Sequence, residues 1–181
     1  MRFALQIEPS QGITWEQQVA LARHAEDGGF ETLYRSDHYE SLPGPAGRPT
    51  TDAWATIAGS VMVTERLRHG TLVSPITFRH PANIAKVAAT VDEMSGGRVE
   101  LGLGAGWHVD EHRRHGLVFP DLATRLGMLE EQLQVVAGLW QAQRGWSFQG
   151  VHYQVDDAWY VPPPVQRPRL PLIVGTQGRP R

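Results

Sequence analysis

The chain has 181 residues, of which 41% are hydrophobic and 20% charged, and its formal net charge is -2. These values are typical of one globular domain, and without a basic tract they argue against a nucleic-acid partner. The absence of cysteine excludes disulfides, thiolate metal sites and cysteine nucleophiles. No apolar stretch is long enough to span a bilayer, so we expect no membrane association and, by default, a cytoplasmic location.

The first half of the chain alternates buried-strand patterns with helix patterns. Residues predicted to form strands are 2–8, 31–36, 67–75 and 98–106. Residues predicted to form helices between them are 14–30, 51–64 and 80–97. Thr14 and Gln17 resemble a capping box, Thr51 or Asp52 caps the second helix, and Pro81 occupies the first turn of the third.

The second half begins with a helix over residues 124–141. Its apolar residues at helical spacing are expected in the core: Leu126, Leu129, Leu133, Val136 and Leu139. A β-hairpin with a Pro-rich return follows at about 145–165, and residues 170–178 predict a fifth strand. Strands that alternate with helices indicate βαβ units and a parallel sheet, either an open doubly wound sheet or an incomplete β/α barrel.

Residues 100–112, ELGLGAGWHVDEH, are open to three interpretations. A dinucleotide fingerprint requires a third small residue where Trp107 stands, which argues against that interpretation. The H-x-x-E-H pattern from His108 to His112, with His115 nearby, is typical of a zinc helix. That interpretation needs a further carboxylate ligand and a helix directly after a glycine-rich strand end, where none is expected. Histidines at the surface explain the pattern more simply.

The third interpretation places this segment at the mouth of a β/α barrel, where strands end and loops begin. Other strand ends supply Glu8, residues 36–38, residues 71–74 and residues 175–178. Small residues there let a planar ligand approach the backbone, and the last glycines suit a phosphate. Glu8 and His38 are suited to proton transfer.

Several of these motifs resemble the bacterial-luciferase-like superfamily, in particular its branch that uses the deazaflavin coenzyme F420. The matching stretches are SDH at 36–38, GTLVSPITFRHPA at 70–82, SGGRVELGLGAGWHVDEHRRHG at 95–116, FQGVHYQVDDA and PPPVQRPRLPLIVG. The family fold is a (β/α)8 TIM barrel. The resemblance therefore implies that residues 1–181 form the first five strands of one such barrel, with the hairpin as an insertion.

The resemblance also implies a coenzyme site. Asp37 and His38 would lie near the deazaflavin ring, with His38 moving a proton or stabilising the reduced ring. A non-prolyl cis peptide at Leu72–Val73, followed by Ser74, would back the ring. The remaining residues expected around the coenzyme are Gly104, Ala105, Gly106, Trp107, His108, Gly175, Thr176 and Gly178. Separately from the resemblance, we infer from the place of Glu8 at the end of the first strand that it would meet the substrate.

The expected activity is hydride transfer to or from a small organic substrate with F420. An FMN-dependent luciferase-like monooxygenase is the alternative within the family. The alternative from a different functional class is that the chain is not an enzyme but a truncated, non-catalytic flavin-binding relic. No metal is expected, and relatives of this kind are often homodimers.

Overall fold

The computed structural model describes residues 3–41, 47–142 and 144–175. Within them the helices are Trp15–Asp27 (α1), Ala53–Val61 (α2), Pro81–Ser95 (α3), Val109–Arg114 (α4) and Leu122–Gln141 (α5). The strands are Ala4–Ile7 (β1), Thr32–Arg35 (β2), Arg68–Thr71 (β3), Ser74–Pro75 (β4), Val99–Gly104 (β5), Trp146–Gln149 (β6), Gln154–Ala158 (β7) and Leu172–Gly175 (β8). None of the helices in these ranges is long and apolar enough to cross a membrane.

The main sheet is parallel throughout and runs in the order β1-β2-β3-β5, with β4 and β8 also paired to β5. β3 and β4 are two parts of one predicted strand that is interrupted at Leu72–Val73. The sheet therefore has the five strand positions that the sequence predicts. The α/β class with a parallel sheet is confirmed.

Local signals in the sequence place the helix starts. Thr14 and Gln17 form both bonds of the capping box on α1. Asp52, rather than Thr51, caps α2, because its carboxylate accepts from the amide of Ala55 at 2.9 Å. Pro81 occupies the first turn of α3. Each cap satisfies an amide that the helix itself leaves unpaired.

The main core lies between the sheet and α2, α3 and α5. Leu101 and Leu103 of β5 are fully buried there. On α5 the prediction holds for Leu129, Val136 and Leu139, and Leu133 packs at the edge of the core. It is wrong for Leu126, which is 46% exposed. Leu126 lies in the first turns of α5, where the buried side chain is that of Arg125.

The residues of β5 that alternate with Leu101 and Leu103 face the opposite side of the sheet. Glu100 there accepts from the Arg68 side chain at 2.6 Å and from the Tyr34 hydroxyl. Gly102 and Gly104 lie further along the same face. This inner face leads directly to the ends of the strands.

The predicted hairpin is formed by the antiparallel strands β6 and β7. Its turn docks on α5, because the Glu131 carboxylate accepts from the amides of Val151, His152 and Tyr153 at 2.7–3.0 Å. The three bonds lower the pKa of Glu131, although burial alone would raise it. The hairpin is thus attached at its turn as well as at its base.

Candidate functional site

Because the strands of the main sheet are parallel, the residues that follow them lie along one edge. Hydrogen bonds tie these strand ends together. The Gln6 side chain bridges the Glu8 carboxylate and the carbonyl of Leu72, both at 3.2 Å. The Ser74 hydroxyl donates to Asp37 at 2.6 Å. Thr176 and Gly178 lie outside the described residues, and Gly175 is the last residue of β8.

The peptide bond between Leu72 and Val73 is cis, as predicted. It lies where β3 ends and β4 begins. The amide of Leu72 still donates to the carbonyl of Arg35 on β2 at 2.9 Å. The chain therefore remains hydrogen-bonded to β2 at the point where β3 ends.

The glycines at this edge make room for Val73. A Cβ added to Gly104 would lie 2.6 Å from a methyl of Val73, and one added to Gly175 would lie 2.8 Å from it. A Cβ on Gly102 would lie 2.1 Å from the Thr71 carbonyl oxygen and 2.9 Å from Val73. The expectation that these small residues are there to admit a planar ligand is therefore incomplete, since the protein's own side chain occupies that space.

Asp37 is almost completely buried and its carboxylate is paired. Besides the Ser74 bond, it accepts from Arg79 at 2.5 Å, and Arg79 also binds Asp52 at 2.5 Å. Ser74 in turn accepts from the Trp54 indole at 3.2 Å. Burial alone would lower the pKa of Arg79, but its bonds and charge pairing with Asp37 and Asp52 raise it. Asp37 thus anchors β4 to the end of β2.

His38 follows Asp37 and lies at the edge of the site. Its Nδ1 is 3.0 Å from Oε2 of Glu111, whose side chain is 1% exposed. Oε1 of Glu111 accepts from the backbone amides of Tyr39 and Glu40 at 2.6 and 3.1 Å. One carboxylate from α4 therefore holds both the ring of His38 and the backbone that follows it.

Glu111 is the site residue that sequence reasoning missed, because the pattern suggested only a zinc helix. Helix α4 does form after the glycine-rich strand end, contrary to expectation. No local pattern reveals this role, because its partner His38 lies 73 positions earlier in the chain. Its pKa is lowered: burial alone would raise it, but the bonds from His38 and from the amides of Glu40 and Tyr39 outweigh burial.

Trp107 and His108 form an aromatic pair next to His38. Their rings stack with centroids 4.9 Å apart, and the Trp107 ring meets His38 edge-on at 5.7 Å. Trp107 is 58% exposed, which is unusual for so large an apolar side chain at a strand end. Gly106 precedes the pair with φ +79°, and the carbonyl of Ala105 accepts from Arg125 at 3.1 Å.

His112 is neither a metal ligand nor a surface residue. It is 1% exposed, its Nε2 lies 2.6 Å from the Thr77 hydroxyl, and its Nδ1 lies 2.7 Å from the carbonyl of His108. With both nitrogens occupied, the His108–His112 zinc interpretation fails. In the part of the chain that the structure describes, no cluster of three or more His, Asp or Glu is arranged to hold a metal.

Glu8 and Ser36 bring unsatisfied polar atoms to the ends of β1 and β2. Oε2 of Glu8 and the hydroxyl of Ser36 are buried without a hydrogen-bond partner among the described residues. The Ser36 amide donates to the carbonyl of Ile7 at 3.2 Å, which keeps the two strand ends adjacent. Buried polar atoms of this kind call for a partner from a ligand or water.

A family model described as luciferase-like monooxygenase matches residues 1–181. The chain belongs to this family. It is 35% identical over 156 residues to an F420-dependent glucose-6-phosphate dehydrogenase of Microbacterium testaceum, a match that covers 85% of this chain and 45% of that protein. The chain spans between 45% and 60% of the length of curated relatives that it matches.

Solved structures agree with the luciferase-like fold. An F420-dependent secondary alcohol dehydrogenase in complex with an F420–acetone adduct superposes with a TM-score of 0.83 at 24% identity, over 96% of this chain and 52% of that one. An FMN-bound type II Baeyer–Villiger monooxygenase, the oxygenating constituent of 3,6-diketocamphane monooxygenase of Pseudomonas putida, superposes with a TM-score of 0.77 at 17% identity, over 96% and 51%. The five parallel strands therefore correspond to part of a luciferase-like TIM barrel.

Proposed function

We propose that this chain carries the coenzyme-facing side of an F420-dependent oxidoreductase that transfers a hydride to or from a small organic substrate. The observation that carries the proposal is the His38–Glu111 pair, which holds an imidazole at the strand ends beside an exposed aromatic pair. The 35% identity to an F420-dependent dehydrogenase supports the choice of coenzyme. F420, when bound, supplies the hydride donor or acceptor.

The residues at the strand ends fit a flat, polar coenzyme. The segment Leu72, Val73 and Ser74 presents backbone that its neighbours fix rigidly in place. Gly106, Trp107 and His108 add an exposed aromatic surface next to His38. Stacking and backbone contacts of this type suit a planar ring, so we assign these residues to coenzyme binding. Ala105, Thr176 and Gly178 belong to the same proposal as neighbours of the ribityl and phosphate part.

The three proposed catalytic residues have different roles in this proposal. His38 moves a proton or stabilises charge, because an imidazole can accept a proton at one nitrogen while the other nitrogen is held by a hydrogen bond. Glu8 meets the substrate, because its buried Oε2 lacks a partner among the described residues. Asp37 has Ser74 and Arg79 as partners, so it acts as a positioning residue for the segment around Val73 rather than on a reacting atom.

FMN is the second candidate coenzyme, since an FMN-bound monooxygenase shares the fold. The two possibilities differ in chemistry. A reduced flavin reacts with oxygen at the isoalloxazine C4a, whereas a deazaflavin has carbon at position 5 and reacts poorly with oxygen. A noncatalytic relic would bind either coenzyme without turning over substrate.

Titration of the purified chain with oxidised F420 and, separately, with FMN tests the proposal by the fluorescence of each coenzyme. We expect saturable F420 binding with at least tenfold higher affinity than FMN. The control variant is Val151→Ala, which changes an 88% exposed side chain in the turn between β6 and β7. Preferential FMN binding, or oxygen consumption with reduced flavin, would overturn the choice of F420.

A further inference from the structure

Glu111 reaches His38 from a helix 73 positions further along the chain. Its carboxylate is divided between two tasks. Oε1 takes the amides of Tyr39 and Glu40, and Oε2 takes Nδ1 of His38. The geometry therefore fixes which carboxylate oxygen faces the ring.

An ionised carboxylate is an acceptor only, so the atom opposite it must carry a hydrogen. Two backbone amides that donate to the same group stabilise its ionised form. We propose that Glu111 is a positioning residue that holds the neutral His38 ring as its Nδ1–H tautomer and so presents Nε2 as the proton-accepting atom. The role of that atom in turnover rests on the proposed function, but the tautomer does not.

The surroundings of the ring leave Nε2 available. Trp107 and His108 contact the ring through their faces and edges, at centroid distances of 5.7 and 6.2 Å. Of the other carboxylates close in sequence, Asp37 is bound to Ser74 and Arg79, and Glu40 binds Arg114 at 2.5 Å and lies 3.4 Å from His115. Among the described residues, no hydrogen-bond partner for Nε2 is present. An imidazole fixed at one nitrogen and free at the other is the arrangement that general-base catalysis requires.

The substitution Glu111→Gln gives a sharp test, because an amide has one acceptor and one donor. The carbonyl oxygen of the glutamine must stay with the two backbone amides that Oε1 now accepts. Its NH2 group then faces Nδ1. Because the NH2 group can only donate a hydrogen bond, Nδ1 must act as the acceptor and carry no hydrogen. The neutral ring is expected to switch to the Nε2–H tautomer. The matched control is Glu40→Gln, which loosens the same helix from the same loop without touching His38.

The measurement is the ¹⁵N spectrum of the imidazole rings in the ¹⁵N-histidine-labelled chain, at a pH where the ring is neutral, with His38→Asn used for assignment. We expect a protonated Nδ1 and an unprotonated Nε2 in the wild type and in Glu40→Gln, and the reverse in Glu111→Gln. A wild-type ring protonated at Nε2 overturns the proposal even if Glu111→Gln fails to fold. An unchanged tautomer in a folded Glu111→Gln variant overturns it as well.

The experiment needs neither coenzyme nor substrate, so its outcome is separate from the coenzyme titration. A chain that binds FMN rather than F420 can still show the predicted tautomer. A chain that binds F420 with the opposite tautomer would keep the proposed function and lose the role of Glu111.

Discussion

The methyl groups of Val73 occupy the space into which a side chain at Gly104 would project, with only 2.6 Å between the nearest methyl carbon and an added Cβ. Gly104→Ala is therefore expected to destabilise the fold by about 1–3 kcal/mol, the usual effect of overpacking. Val73→Ala should largely relieve this effect in the double variant. Urea denaturation of the two single variants and the double variant measures the coupling.

A double variant that is as unstable as the sum of the single variants would contradict this packing relationship. The coupling is specific to the inner face, because Leu101 and Leu103, on the other face of β5, pack against the helices instead.

The buried ion pair of Arg79 and Asp37 gives a second prediction. Arg79→Leu leaves the Asp37 carboxylate buried without its cation and should lower the free energy of unfolding by about 3 kcal/mol or more. Arg113→Leu is the control, because the Arg113–Asp110 pair is 67% and 58% exposed and is expected to contribute less than about 1 kcal/mol. Equal losses in the two variants, measured by urea denaturation, would contradict the structural role of Asp37.

Glu26 on α1 gives a prediction about pH. Burial alone would raise the pKa of Glu26, but the amides of Arg66, Leu67 and Glu65, with the charge of Arg66, lower it. A carboxyl whose pKa is lowered in the folded state stabilises the fold above its unfolded pKa, and this stabilisation is lost as the pH falls through the folded value. Glu26→Gln should therefore be less stable than the wild type near neutral pH.

The two proteins should converge in stability as the pH falls through the lowered pKa of the folded carboxyl, below which the wild-type side chain is protonated too. Urea midpoints from pH 7 down to pH 3 measure this. The control is Glu65→Gln, which removes the charge of an 89% exposed side chain. The backbone amide of residue 65, which donates to Glu26, stays in place. A constant difference between wild type and Glu26→Gln across the whole range would rule out the carboxylate as the source.

His38 gives the kinetic prediction of the proposed function. His38→Asn should lower kcat of the F420-dependent reaction by about 10²–10⁴-fold, the usual contribution of a general acid or base. Coenzyme affinity should change much less. The control is His24→Asn, because His24 lies on the exposed side of α1 and its Nδ1 binds the carbonyl of Ala20. Stopped-flow reduction of F420 measures both quantities, and an unchanged kcat would remove His38 from catalysis.

The sequence predicted the alternation of strands and helices, the helix caps and the hairpin because these depend on local chemistry. Thr14 and Gln17 satisfy each other across one turn, and Pro81 fits the first turn of a helix whatever it packs against. The resemblance to the luciferase-like family supplied the cis bond at Leu72–Val73, which no local pattern predicts.

The sequence failed where a role depends on partners far along the chain. His112 looked like a ligand or a surface residue, but Thr77 and the backbone of His108 occupy its ring. Glu111 looked like part of a zinc helix, but it binds His38 instead. Gly104 was expected to let a ligand approach the backbone, and the sequence did not show that its small size also makes room for Val73. Only the three-dimensional packing of separate strand ends decides between such alternatives.

Glu131 attaches the turn between β6 and β7 to α5, and the contact has a consequence for how this segment varies. An added Cβ on Gly150 would lie 2.3 Å from the Glu131 carboxylate, and one on Gly127 would lie 2.9 Å from the His152 ring. The first contact keeps position 150 of the turn small, and the second keeps position 127 of α5 small. Val151, next to Gly150 in the turn, is 88% exposed and free of this constraint. The outer surface of the turn can therefore accept new side chains, while the bonds from Glu131 keep the hairpin in place on α5.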